Sequence, residues 1–187
     1  MIYKKYIKRV IDICAALVAI LVFWWVYVII AILVRFKLGS PVIFKQERVG
    51  KNEKIFMLYK FRSMSDAKDE KGNLLPDSVR LTKFGKLLRA SSLDELPEMF
   101  NILRGEMSLI GPRPLPSEYL DYYNSFERQR HEVLPGLSGW AQVNGRTAIG
   151  WEKRFKYDVE YVKKISFGMD MKIIFLTIKK VFSHSDI

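Results

Sequence analysis

From Ile13 to Val34 the chain carries 22 consecutive residues without a charge, ICAALVAILVFWWVYVIIAILV. At a rise of ~1.5 Å per residue a helix of this length covers a hydrocarbon core ~30 Å thick, so the pattern predicts a membrane helix. The run exceeds the ~7–15 apolar residues of a signal peptide, and no small-x-small cleavage site follows it, so the segment is expected to stay on the mature protein. Lys4, Lys5, Lys8 and Arg9 precede it, and Arg35, Lys37, Lys45 and Arg48 follow it. Basic flanks prefer the cytoplasmic side, which pulls both ends to the same face. A helix that enters and returns satisfies both flanks, yet the run has no Pro or Gly to cause a bend. Charge points to re-entry, whereas sequence chemistry points to a straight span.

Beyond Leu38 the pattern changes. Residues 42 to 64 read as β structure, with Val42-Ile43-Phe44, a turn around Gly50-Lys51-Asn52, and an apolar, partly alternating run from Ile55 to Met64, which together predict a hairpin. The polar stretch from Ser65 to Pro76 predicts an exposed loop able to move. Short helices are expected over 81–90 and 98–103. Trp151, Phe155, Val159, Val162 and Ile165 recur at helical spacing, and residues 170–182 repeat the pattern with Lys172, Lys179 and Lys180 interleaved. Either apolar face suits a membrane surface or ordinary core packing. The expected organisation is a membrane-anchoring helix over 1–38 and a small α/β catalytic domain over 39–187.

Positions 35–187 hold 27 Lys and Arg against 19 Asp and Glu, a surplus of +8, so this part favours anionic partners: lipid headgroups, nucleotide or pyrophosphate substrates, or nucleic acid. The single Cys14 lies in the apolar run and forms no intrachain disulfide. His131 and His184 have no spaced Cys or carboxylate partners of zinc type. Dinucleotide-binding, Walker and nucleophile-elbow glycine motifs are absent from the sequence.

Candidate chemistry gathers between Ser91 and Pro114. Ser92-Leu93-Asp94-Glu95 fits a capping box, but Pro97 would then fall beyond the first turn, where its ring clashes with a preceding carbonyl. With Pro97 at the first helical position, Asp94 and Glu95 stand just ahead of a helix N-terminus, a place that attracts phosphate. Adjacent residues point in different directions, which suits a division of labour. One carboxylate attacks phosphorus, and the other binds a divalent cation, for which Mg2+ is the natural choice. Arg113 stands between Pro112 and Pro114, and Arg146 follows Asn144-Gly145; both are planar forks suited to phosphate. Lys60, Arg62 and Arg89 are further candidates. Taken singly, each is a solvated surface charge; together with the acidic pair they point to phosphate binding.

KRVID at 8–12, the apolar run, PVIFKQERVG at 41–50, YKFRSM at 59–64, SLDELPEMFNILRGEMSLIGPRP at 92–114 and PGLSGWAQVNGR at 135–146 resemble, in order, the monotopic bacterial phosphoglycosyl transferases, the bacterial sugar transferase family. The resemblance implies transfer of a sugar 1-phosphate from a UDP-sugar to undecaprenyl phosphate, with release of UMP. It implies ping-pong kinetics through a covalent phosphosugar on Asp94, with Glu95 helping to bind Mg2+. Lys60, Arg89, Arg113 and Arg146 would serve phosphate or uridine groups, and Asp158 would lie in the pocket. The implied fold is a small α/β unit with a re-entrant helix hairpin and interfacial amphipathic helices, here in minimal single-domain form. The implied location is the cytoplasmic face of the bacterial inner membrane, with membrane lipids and downstream glycosyltransferases as partners and no nucleic acid. The sequence departs from the family at one place, where Trp24-Trp25 replaces the Ser-Pro pair that usually breaks the membrane helix. A non-catalytic basic membrane protein that binds anionic lipid, nucleic acid or a partner enzyme is the alternative, and UDP-sugar hydrolysis is a third reading.

Overall fold

A computed structural model describes residues 2–145 and 148–183. A π-helical turn at Tyr3–Ile7 leads into helix α1, Lys8–Lys37. This helix is continuous through Trp24-Trp25, so the hairpin break implied by the family resemblance does not form. The cause is the one visible in the sequence, since no Pro or Gly interrupts the backbone hydrogen bonds.

Both arms of α1 are nevertheless held by the same domain. On the N-terminal arm, Arg9 donates to the carbonyls of Ile102 (2.7 Å) and Leu103 (3.1 Å), and the buried Asp12 accepts from the Leu109 amide at 3.0 Å. Ala16 packs against Leu58, Met99, Ile102 and Met107. On the C-terminal arm, Tyr27 donates to the Leu96 carbonyl at 2.7 Å, and Ile30, Val34 and Leu38 pack with Phe61 and Leu88. Between the arms, residues 21–25 are all exposed, Leu21 at 71% and Trp24 at 62%. Five residues make more than a full turn, so this part of the helix is apolar and exposed all round. The N-terminal arm is thereby tied to the domain at Leu109 and Ile102. The absence of a helix breaker indicated the continuous helix correctly.

The hairpin expected over 42–64 is present. Strands β1, Ile43–Val49, and β2, Ile55–Phe61, pair antiparallel with Phe44 opposite Lys60 and Gln46 opposite Leu58. The strand period of two puts Phe44, Gln46 and Arg48 on one face together with Lys60. The stretch from Ser65 to Pro76 is more organised than a mobile loop. Lys68 bridges Leu74, the Leu75 amide donates to the Ala67 carbonyl, and Asp69 accepts from the amides of Lys71 and Asn73.

Helices α2, Asp77–Arg80, and α3, Lys83–Ala90, follow, and the Thr82 side chain caps α3 by accepting from the Gly85 amide. Helix α4, Glu98–Arg104, ends on Gly105 at φ +84°, a left-handed cap that a glycine adopts without strain. Strands β3, Ser108–Ile110, and β4, Gly136–Ser138, pair in parallel and join the two Gly-Pro-containing segments. They meet so closely that a Cβ on Gly136 would lie 2.0 Å from the Gly111 nitrogen. Gly136→Ala is accordingly expected to lower stability by about 1–3 kcal/mol or more, because the obstruction is backbone and cannot rotate away. Thermal melts in detergent check this, and an unchanged midpoint would refute the close packing.

After the single turns α5, Ser125–Arg128, and α6, Trp140–Val143, the chain closes with α7, Trp151–Lys164, and α8, Phe167–Ser183. Phe155, Val159 and Val162 of α7 are buried, so its apolar face is core. In α8, Ile173 is buried while Phe175 and Ile178 are exposed. Asp170 ties this helix to the N-terminus, accepting from Tyr3 at 2.6 Å, Lys8 at 2.8 Å and Tyr161 at 2.8 Å. The architecture is a small α/β domain with an apolar anchor helix packed onto it.

Candidate active site

A cleft of about 990 Å3 opens between the inward face of the β1–β2 hairpin, the Leu93–Glu95 turn, the Arg113 segment and α7. Leu93–Glu95 is a single 3-10 turn entered through Ser92 at φ +55°, a left-handed conformation unusual for serine. Ser92 makes no side-chain capping bond, and Pro97 stands at the N-cap of α4. The capping-box alternative is thereby excluded, and the acidic pair stands just before the helix.

The two carboxylates have different surroundings. Glu95 Oε1 accepts from Lys60 Nζ at 2.7 Å and from an Arg113 guanidinium nitrogen at 2.9 Å. Burial alone would raise its pKa, but Arg113 and Lys60 outweigh that and hold it down at about 2. Asp94 is buried and lines the cleft. Among the described residues it makes no ion pair. Burial and then the charge of Glu95 push its pKa up, against the pull of Lys60 and Arg89. One carboxylate is locked between cations; the other is uncommitted.

Glu98, in the first turn of α4, is a functional candidate that the sequence reading missed. It is 3% exposed, and its Oε1 lies 3.1 Å from Lys60 Nζ. Burial pushes its pKa up to about 7, with Lys60 opposing and Glu95 adding to the rise. Lys60 is thus the bridge of a Glu95–Lys60–Glu98 cluster. Its place on β2 was legible, but its second partner was not, since an acid after a proline reads as ordinary first-turn decoration.

The other predicted residues divide. Arg113 lies 47% open to the cleft, paired with Glu95. Arg89 donates from Nε to Ser63 Oγ at 2.8 Å and lines the same cleft. Arg62 lines it too, but is committed to Asp66 and to the Ser40 carbonyl at 2.8 Å, so it braces the segment that follows β2. Asp158 also borders the cleft, yet it is fully engaged with Arg130, which donates to its Oδ2 at 3.0 and 2.8 Å. Arg130 in turn donates to the Arg113 carbonyl at 2.7 Å. Asp158 therefore positions the backbone of Arg113 through Arg130. Arg146 and His184 lie outside the described residues. His131 is buried against Tyr123, apart from the acidic pair.

No three Asp, Glu, His or Cys side chains among the described residues converge as a closed metal cage. An open Mg2+ site does not require one, because that ion takes one or two carboxylates and completes its shell with water and phosphate oxygens. Asp94 and Glu95 are oxygen donors on one wall, and Glu95 raises the pKa of both Asp94 and Glu98. The donor set fits the ion.

An anchor helix on an α/β domain, with carboxylates and arginines facing one cleft, defines a membrane-associated enzyme of phosphate chemistry. The chain belongs to the bacterial sugar transferase family, which it matches over residues 3–184. It is 53% identical over 175 residues to the uncharacterized sugar transferase EpsL of Bacillus subtilis (strain 168), across 94% of this chain and 87% of that protein. It is 40% identical over 186 residues to the UDP-N-acetylgalactosamine-undecaprenyl-phosphate N-acetylgalactosaminephosphotransferase of Aeromonas hydrophila, across 95% of this chain and 44% of that protein. It is 39% identical over 189 residues to the UDP-glucose:undecaprenyl-phosphate glucose-1-phosphate transferase of Escherichia coli (strain K12), across 96% of this chain and 41% of that protein. The chain thus spans less than half the length of these last two relatives.

Proposed function

We propose that the protein transfers a sugar 1-phosphate from a UDP-sugar to undecaprenyl phosphate at the cytoplasmic face of the bacterial inner membrane. The observation that carries this reading is the contrast within the acidic pair: among the described residues Asp94 makes no ion pair in the cleft, beside a Glu95 held by two cations. An uncommitted carboxylate is the better nucleophile. In the first half-reaction an Asp94 oxygen attacks the phosphorus that bears the sugar. The bond to the uridylate oxygen breaks, and its electron pair leaves with UMP. In the second, an oxygen of undecaprenyl phosphate attacks the same phosphorus and restores the Asp94 carboxylate. Kinetics of this kind are ping-pong.

Asp94 and Glu95 would hold Mg2+, which neutralises charge on phosphate oxygens. Lys60 and Arg113 keep Glu95 ionised for that role, while Arg89 favours the charged form of Asp94. The basic flanks of α1 favour the cytoplasmic side. The names of the Aeromonas and Escherichia relatives support undecaprenyl phosphate and a UDP-sugar as the substrates.

The test is UMP release by the detergent-solubilised full chain given Mg2+, undecaprenyl phosphate and a panel of UDP-sugars. Release that requires both the lipid and Mg2+ supports the transferase. Sustained release without lipid would show a hydrolase instead, and retention of salt-sensitive nucleic-acid binding without any release would favour the binding-protein alternative.

A further inference from the structure

Among the cations that line the cleft is one, Arg48, that the sequence motifs did not single out. Lys60 and Arg113 are paired with Glu95, Arg62 with Asp66, and Arg130 with Asp158. Arg48 lines the same cleft, and no carboxylate among the described residues comes within ion-pair distance of it. Its side chain donates to Gln46 Oε1 at 2.6 Å, and its Nε is buried without a hydrogen-bond partner. The strand fixes where this guanidinium goes. Gln46 and Arg48 share the inward face of β1, and the next residue, Val49, donates its amide to the Leu115 carbonyl at 3.0 Å, which fastens β1 beside the segment carrying Arg113.

We infer that Arg48 is a further substrate-binding residue, which takes the phosphate of the diphosphate that departs with uridine, with Gln46 as its positioning residue. The inference rests on the reading of this cleft as a UDP-sugar site. Burial and then the charge of Arg113 depress the Arg48 pKa, while Glu98, Glu118 and Tyr119 oppose them, so Arg48 and Arg113 repel each other across the cleft wall. An anion placed between them reverses that cost. The leaving phosphate is assigned to the Arg48 and Arg113 side of the cleft, where the Val49 amide of β1 is fastened to the Leu115 carbonyl of the Arg113 segment. Negative charge grows on that leaving oxygen as the bond breaks, and a preorganised fork stabilises it.

The experiment measures binding of UDP in the presence of Mg2+ to the full chain in detergent by calorimetry, beside the rate of the UMP burst without lipid acceptor. Arg48→Ala is expected to weaken UDP binding about tenfold to 100-fold and to slow the burst. Arg48→Lys should restore part of the affinity, since it keeps the charge and loses the fork. Gln46→Ala should weaken UDP binding by a smaller factor, about two- to fivefold, at an unchanged melting temperature. UDP affinity in Arg48→Ala equal to that of the wild type would overturn the inference, as would failure of the wild type to bind UDP. Turnover of the wild type with UDP-sugars is read separately, so a catalytically silent protein that binds UDP through Arg48 would sink the proposed reaction and leave this site standing.

Discussion

Asp94→Asn is expected to abolish turnover, with a loss on the order of 10^4-fold or more, because an amide cannot act as the attacking group and no neighbour can substitute for it. Glu95 is the nearest alternative carboxylate, but its oxygen is already shared between Lys60 and Arg113. The same variant should form no covalent phosphosugar adduct when wild-type protein, incubated with a UDP-sugar and no lipid, forms one detectable by intact-protein mass spectrometry. Folding should be preserved or slightly improved. Asp94 is buried with its charged form disfavoured, and a neutral isostere removes that penalty. A variant that retains a near wild-type rate would remove Asp94 from the nucleophile role. For the wild type, activity should rise with pH through the elevated pKa of Asp94, since only the ionised form attacks.

Lys60→Met is the second large effect, and it should show in both activity and stability. The substitution removes one of two cations from Glu95 and the only ion-pair partner recorded for Glu98 among the described residues. Breaking a buried pair typically costs about 3–5 kcal/mol. Glu98 can evade part of that by taking a proton, so the cost depends on pH. The folded pKa of Glu98 is about 7, above the ordinary 4.5. Its ionisation therefore costs nothing at acid pH, where the group is protonated in both states, and the penalty grows as pH rises from 4.5 towards 7. Glu95 behaves oppositely, with a folded value of about 2; its stabilisation is present above 4.5 and fades as pH falls towards 2. Lys60→Met should lose more stability at about pH 8 than at about pH 5. Adding Glu98→Gln should recover much of the stability at the higher pH while turnover stays depressed, roughly 10^2-fold or more below wild type. Equal losses at both pH values would show that Glu98 does not carry the effect.

The sequence was informative wherever a local rule applied. The hairpin followed from apolar alternation around Gly50, and the helix of 151–164 from its periodicity, while the short helix expected over 81–90 is found at 83–90. Pro97 decided between two readings of the acidic pair; the structure excludes the capping box and sets Pro97 at the N-cap of α4, one position before the first helical residue expected for it. What the sequence withheld was pairing across distance. Asp158 and Arg130 are 28 positions apart, and nothing local announces that they neutralise each other. Arg62 resembles Lys60 in sequence context, yet one braces a loop and the other bridges the site, a difference set by strand register and by where Asp66 falls. Arg48 was visible only as a flanking charge until β1 placed it on the inward face. The parallel pairing of 108–110 with 136–138 is three residues long, too short for any pattern to reveal.

The exposed turn from Leu21 to Trp25, set between two fastened arms of α1, bears on how this anchor answers bilayer thickness. A spanning helix whose apolar length differs from the membrane tilts or deforms the lipid to match, and any attached domain moves with it. Here both arms are fastened to the domain on either side of the turn. Asp94 is accordingly expected to keep the same height above the acyl chains in thin and thick membranes, and equal turnover in vesicles of short-chain and long-chain lipid checks this.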